Sequence, residues 1–430
     1  MKRVQSTPSL PAHQMNLIEI SPLWAHKLYL TKGGTITSSA FNLASATLGA
    51  GALALPYAML HSGTVVGFVM LLLVYGFTVY SIFLLIRVGE LHDLHSYEAL
   101  ALSLVGPFSK KLSSILIVTF CWGVAVMYVV VMGDFIKPLL TARHLHRYVG
   151  RRLGMILFWT CVMGPLSLLR QVNSLQYASI VGSAATLLLA AALVLHTINS
   201  NPTLHHIPLV RWDSNSLGSL STFVFSYCCQ PVAFSIYSEM KDASVRRMSL
   251  CAGISMLTCT VLYVVTGFFG VAAFGDETKP NVLSNFADHL DKPYVQLAFF
   301  GMAITVTMAF PITIFPTRES VVLALGYTEE SPAPPLLSSG IGGVLAFLAL
   351  LTSLFVPNIR VLFDILGGVC GGSLSFLLPG LFAIRSELWT RERVGLTHVV
   401  GAWATFILGV GICALGTYNS FYTNVIAGSA

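Results

Sequence analysis

Residues 41–59 read FNLASATLGAGALALPYAM, an apolar stretch with helix breakers at its centre. Gly49 and Gly51 sit mid-run and Pro56 follows one turn later. Glycine weakens a helix, and proline removes a backbone donor and clashes with the preceding turn. In lipid such residues are tolerated where the freed backbone groups find partners or line a cavity. Residues 221–237, STFVFSYCCQPVAFSIY, repeat the device: Pro231 follows a polar stretch from Ser226 to Gln230. Taken singly, either set of breakers could merely kink or closely pack a helix. Two of them at matching positions suggest something more.

Working outward, apolar runs fall at 36–60, 65–86, 112–136, 153–169, 175–195, 217–237, 250–274, 294–315, 341–356, 361–384 and 399–418. The chain is 55% hydrophobic and only 10% charged, far below the roughly 25% charged residues of soluble domains. Runs of about 20 apolar residues suit the ~30 Å hydrocarbon core at 1.5 Å per residue, and inside lipid such runs form helices. The fold expected is an all-α polytopic membrane protein of eleven spans. The interrupted first and sixth spans lie five helices apart, as they would in a 5+5 inverted repeat. The repeats would cover about 36–196 and 217–385, and the extra helix about 399–418. Residues 1–32 form an N-terminal tail and 421–430 a C-terminal one, flanking a transmembrane unit at 33–420. If the N-terminal tail is cytoplasmic, fifteen of the 24 basic residues lie on that side, as the positive-inside rule asks. The segment 137–152 opposes the rule with five basic residues.

An interrupted span exposes backbone chemistry. A half-helix beginning at Gly51 and Ala52 points free N–H groups and a positive dipole end into the membrane centre, where a carboxylate would be bound. Half-helices ending near Ser45 to Leu48, and around Tyr227 to Cys229, offer carbonyls to an ammonium group or a small cation. An amino acid carries both charges, so one broken pair can hold its whole backbone.

At these residues the chain resembles the amino acid/auxin permease family. The stretch 41–63, FNLASATLGAGALALPYAMLHSG, is similar to the family's first helix almost position by position. Further matches are Gly123 with Tyr128, CCQP and IYSEM within 228–240, and FPITIFPTR at 310–318. Asp364, Gly367 and LLPGLF ending at Phe382 match as well, as does the loop FGDETKPNVLSNF at 274–286. The brevity of the chain and its basic third loop resemble protozoan members. The resemblance implies a leucine-transporter-type fold, with alternating access of amino acids to a midplane site. It implies that Ala46, Thr47, Gly49 and Gly51 meet the substrate backbone, with Tyr128 beside the carboxylate. Tyr227, Cys228 and Gln230 would line the opposite wall. A sodium site would map to Ser45, Leu48 and Thr307. Ser45 stands where the sodium-coupled branch has Asn, however, and Ala309 replaces a second threonine. Both changes remove oxygens, which leaves proton coupling or uniport as open as sodium symport.

Other polar residues carry plainer expectations. Asp134 and Asp364 lie near span ends, where water or a helix cap would satisfy them. Glu239 is expected to pair with Lys241, Arg246 or Arg247, and Arg318 with Glu319. His196 reads as an interfacial histidine. The glycines at 367, 368, 371 and 372 read as close packing. No acidic side chain falls at the centre of spans one, three, six or eight, which favours neutral amino acids. The eight cysteines lie in apolar runs without metal-ligand spacing, so no resident cofactor is expected. The net charge of +6 is spread over loops, which argues against nucleic acid as a partner. The runs hold too few ionisable groups for a membrane enzyme. The rival reading is a sensor or scaffold of the same fold that binds an amino acid without carrying it. The expected setting is a multi-pass protein of the plasma membrane or of a vacuolar or lysosome-like membrane, N-terminus cytoplasmic. Replacing Gly51 with a bulky residue is expected to abolish uptake and leave abundance intact.

Overall fold

A computed structural model describes residues 34–142, 150–168, 175–200, 207–211, 216–327, 331, 333–356 and 359–421. The N-terminal tail before Gly34, residues 143–149 of the basic 137–152 segment and residues 422–430 of the C-terminal tail lie outside them. Among the described residues the chain is helical, and Gly34↔Met240 forms an isolated parallel bridge.

The first span is two helices. Helix α1, Ile36–Thr47, starts at Thr35, whose hydroxyl accepts from Ser38 N at 3.2 Å. At Leu48 the backbone turns extended, and α2, Gly51–Ser62, resumes at 65° to α1. Then α3, Thr64–His92, closes on Asp93 in the left-handed conformation. The short α4, Tyr97–Leu104, is capped by Ser96, and α5 spans Pro107–Ala142. Helix α3 has 29 residues and α5 has 36, well beyond the ~20 that cross hydrocarbon. Hydropathy marks only the lipid-immersed part, and α3 runs on until the positive φ of Asp93 stops it.

The fourth span is the irregular one. It joins α6, Arg151–Phe158, through a π-helical turn, Trp159–Met163, to α7, Gly164–Ser167. Helix α8 follows at Leu175–Ser200. The sixth span is again interrupted: α9, Ser216–Ser226, gives way to Tyr227, Cys228 and Cys229 before α10, Gln230–Glu239. Pro231 lies in the first turn of α10, where a missing N–H costs nothing. Then come α11, Val245–Phe274, α12, Pro293–Ala324, and α13, Pro335–Phe355. The tenth span begins as α14, Ile359–Phe363. It turns π-helical over Asp364–Gly371 and Ser373–Leu377 and ends as α15, Leu378–Arg385. A single turn, α16, Arg391–Val394, leads into α17, Leu396–Phe421. Nine helices and the bent α1–α2 pair are long and apolar enough to cross a membrane among the described residues. The described part of the fourth expected span, 151–167, is too short to join them.

The buried apolar residues fall into two bodies. One gathers α1, α3, α9, α10, α11 and α15, with Leu43, Leu85, Phe223, Tyr263 and Phe382 fully enclosed. The other gathers α5, α8, α12 and α13, with Val131, Leu189, Phe299 and Ala349. Helix α2 contributes to both, through Leu55 to the first and Leu53 to the second. The two interruptions lie where the bodies meet.

Several expectations about charges change. Asp364 is 1% exposed rather than solvated, with Arg360 Nε at 3.8 Å. Asp134 pairs with Arg151 at 3.1 Å and accepts from Asn281 Nδ2 at 3.2 Å, tying α5 to α6 and to the loop between α11 and α12. Arg247 pairs with Asp242, not Glu239, at 3.3 Å. Arg318 and Glu319 do pair, at 3.4 Å. His196 packs into an aromatic nest of Phe274, Phe286 and His289, with ring centroids at 5.3, 5.3 and 4.6 Å.

Candidate functional site

The site is built from backbone. Leu48 N still bonds Ala44 O at 2.8 Å, closing α1. The next intrahelical donors are Ala52, to Gly49 O at 3.2 Å, and Leu53, to Ala50 O at 3.1 Å. The amides of Gly49, Ala50 and Gly51 between them are not engaged by the helix ladder. Such amides at a helix start carry the positive end of its dipole.

At the second break the turn tightens, with Tyr227 N to Val224 O at 3.2 Å and Cys228 N to Phe225 O at 3.1 Å. Tyr227 O would accept from residue 231 in a continuous helix, but that residue is proline and has no N–H. Val232 N bonds Cys229 O at 3.1 Å, so it does not serve Cys228 O. The carbonyls of Tyr227 and Cys228 are therefore left over. The two breaks lie against each other: a Cβ on Gly51 would sit 2.6 Å from Ser226 Oγ and 2.9 Å from Ser226 Cα.

The side chains expected at the site are placed unequally. Gly49 faces Tyr128, whose hydroxyl is 3.6 Å from where a Cβ would be. Ala46 is exposed, on a face shared with Asn42 and Ser38 one and two turns earlier. Thr47 is buried, and its hydroxyl donates back to Leu43 O at 2.7 Å. Gly51 is a packing glycine, so a bulky residue there would collide with α9 and disturb folding as well as the site. Tyr227 turns into α11, where its hydroxyl meets Thr260 Oγ1 at 2.7 Å. Cys228 is buried, as is Cys370 on the tenth span, and Cys121 on α5 is partly buried.

Gln230 is fully enclosed and saturated within the protein. Its Nε2 donates to Ser81 Oγ at 2.9 Å, and its Oε1 accepts from Ser375 Oγ at 2.8 Å and Cys229 N at 3.1 Å. Of the residues mapped to a sodium site, Ser45 Oγ lies 2.8 Å from Ser183 Oγ on α8, and Thr307 donates to Ala303 O at 2.7 Å. Leu48 is the C-cap of α1. No group of three His, Cys, Asp or Glu suited to a metal occurs among the described residues.

The residues missed in the sequence are supporting ones. Ser81, Ser183, Thr260, Tyr263 and Ser375 hold the breaks from neighbouring helices, and each is a polar residue in an otherwise apolar helix. That polarity at membrane depth was the available signal. Their partners were not visible, because pairing across 33 to 216 residues is set by packing.

Comparison with known proteins agrees with this geometry. The family model described as "Transmembrane amino acid transporter protein" matches residues 32–422. Amino acid transporter AVT6E of Arabidopsis thaliana is 27% identical over 418 residues, covering 91% of this chain and 84% of that protein. Vacuolar amino acid transporter 6 of Saccharomyces cerevisiae is 26% identical over 410 residues, covering 82% and 90%. The crystal structure of MhsT in complex with L-phenylalanine superposes with a TM-score of 0.61 at 13% identity, over 89% of this chain and 98% of that one. That likeness shows the shared leucine-transporter-type fold. With two interrupted helices meeting at mid-membrane and a family match along nearly its whole length, the chain is an amino acid transporter and belongs to the transmembrane amino acid transporter family.

Proposed function

We propose that the protein carries neutral amino acids by alternating access around the paired breaks, driven by a proton gradient or by the substrate gradient rather than by sodium. The observation that carries this reading is the juxtaposition of unspent amides at 49–51 with the left-over carbonyls of Tyr227 and Cys228. The amides suit the substrate carboxylate and the carbonyls its ammonium group. Tyr128, beside Gly49, closes the carboxylate end. Cys228, Cys121 and Cys370 give the side-chain region a soft, uncharged character. A Lys, Arg, Asp or Glu side chain would find no counter-charge there, and burying an unpaired charge is costly.

The two buried bodies meeting at the breaks suit a rocking motion of one against the other. The exposed stripe of Ser38, Asn42 and Ala46 supports a water-lined approach along α1, because an Asn side chain facing lipid would lose its hydrogen bonds. Ser45 and Ala309, which offer fewer oxygens than the residues of the sodium-coupled branch, support a weak or absent sodium site. Similarity to vacuolar transporter 6 of yeast favours an organellar membrane over the plasma membrane.

The test is uptake into proteoliposomes of a labelled amino acid mixture, competed by each unlabelled amino acid in turn. Neutral competitors should block uptake, a pH step or substrate gradient should sustain it, and removing sodium should leave it unchanged. Saturable binding without accumulation would instead favour a sensor. Loss of uptake on sodium removal would overturn the coupling assignment.

A further inference from the structure

Helix α11 reads the backbone of α1 rung by rung. Ser255 Oγ donates to Ala40 O at 2.9 Å, Cys259 Sγ to Ala44 O at 3.8 Å and Tyr263 Oη to Thr47 O at 3.1 Å. The donors are spaced four residues apart, so they lie on one face of α11. The top rung has a second acceptor. The same Tyr263 hydroxyl also lies 2.7 Å from Ser226 O, at the end of α9. Thr47 and Ser226 are the last residues of the two half-helices that stop at mid-membrane.

Carbonyls at such ends carry the negative pole of the helix dipole. Two of them converging on one point repel unless a positive group stands between them. The phenolic proton is that group here, shared between two acceptors by a single O–H. The ring is held edge-on against Tyr227, with centroids 5.2 Å apart, and Tyr263 is 0% exposed.

We propose that Tyr263 is a positioning residue. Its hydroxyl pins the ends of both interrupted half-helices together and thereby sets the distance between the amides at 49–51 and the carbonyls at 227–228. The inference rests on reading these breaks as the substrate site. It also accounts for the order of the ladder. Ser255 shares its hydroxyl with Cys251 O of its own helix at 2.7 Å, and of the three rungs only Tyr263 reaches the ends of both interrupted half-helices.

Tyr263→Phe removes the hydroxyl and keeps the ring, so it tests the pin without opening a cavity. In proteoliposomes fed a labelled mixture of neutral amino acids, the half-saturation concentration should rise about tenfold, the size of one net hydrogen bond, with the maximal rate within about threefold. Hydrogen–deuterium exchange of the full chain should accelerate at 48–51 and at 227–229, with α8 and α12 unchanged. Ser255→Ala should accelerate exchange near 40–44 and leave 227–229 at the wild-type rate. Wild-type exchange at both breaks in Tyr263→Phe, or acceleration spread evenly along α11, overturns the pin. If the wild-type chain takes up none of the labelled amino acids, the substrate reading fails, and the exchange contrast still decides whether Tyr263 holds the two ends.

Discussion

Gly49 and Gly51 are two residues apart and do different things. A methyl on Gly49 would make ordinary contact with the Tyr128 hydroxyl, whereas one on Gly51 would overlap the Ser226 backbone. Gly49→Val should therefore raise the half-saturation concentration tenfold or more at near-normal abundance. Gly51→Ala should cost about 1–3 kcal/mol through overpacking and lower abundance. Uptake normalised to protein recovered by size-exclusion chromatography separates the two. Glu98, half-buried in the short α4, is a second residue-scale case. Desolvation raises its pKa above the ordinary carboxylate range, partly opposed by a hydrogen bond from its own backbone and by Lys110. The folded state therefore holds the proton more tightly than the unfolded chain. The stabilisation this gives is present below the unfolded pKa and fades as pH rises through the folded one. Glu98→Gln should remove that slope, raising the melting temperature in detergent at neutral pH more than at pH 4. Equal shifts at both pH values would contradict the assignment.

At the scale of elements, the π-helical tenth span makes the closest glycine approach among the described residues. A Cβ on Gly367 would lie 1.9 Å from Ser221 O on α9, and one on Gly368 2.5 Å from Gly416 Cα on α17. The glycine run read in the sequence as close packing is that, and its purpose is to let the π turn lie directly against α9. Gly367→Ala should fail to accumulate as folded protein, whereas Gly253→Ala on α11, where a Cβ would meet nothing within 4 Å, should accumulate normally. The same turn buries Asp364 beside Arg360, whose Nη1 donates to Tyr57 Oη at 3.2 Å and so links α14 to α2. Removing one member of such a buried pair costs about 3–5 kcal/mol, much of it from stranding the other charge. Arg360→Met should be strongly destabilising, and Asp364→Asn in the same chain should recover part of the loss. A thermal double-mutant cycle showing simple additivity would count against a coupled pair.

At the scale of the whole molecule, the two apolar bodies meet along α2, α5, α9 and the tenth span, each of which places residues in both, and the breaks lie in that seam. The pin at Tyr263, the Gly51–Ser226 contact and the Gln230 network with Ser81 and Ser375 all lie in or beside this zone. Eleven spans would put the termini on opposite faces of the membrane. Tags at the two ends should then react from opposite sides of sealed vesicles, and reaction from the same side would mean a span has been miscounted around the short 151–167 segment.

The membrane class, the number of apolar runs and the two sites of interruption were determined by the sequence alone. Hydropathy and the presence of Gly and Pro act locally, and lipid leaves a chain few ways to satisfy its backbone. The first-helix motif carried the family as well. Tertiary structure decided what each polar side chain does. The Gln230 and Tyr227 side chains bond to residues of α3 and α11, Gly51 packs against α9 as well as offering its amide at the break, and Asp364 is enclosed with Arg360. A buried hydrogen bond is satisfied by whichever helix packs nearby, and neighbours far apart in the chain leave no mark in either local sequence.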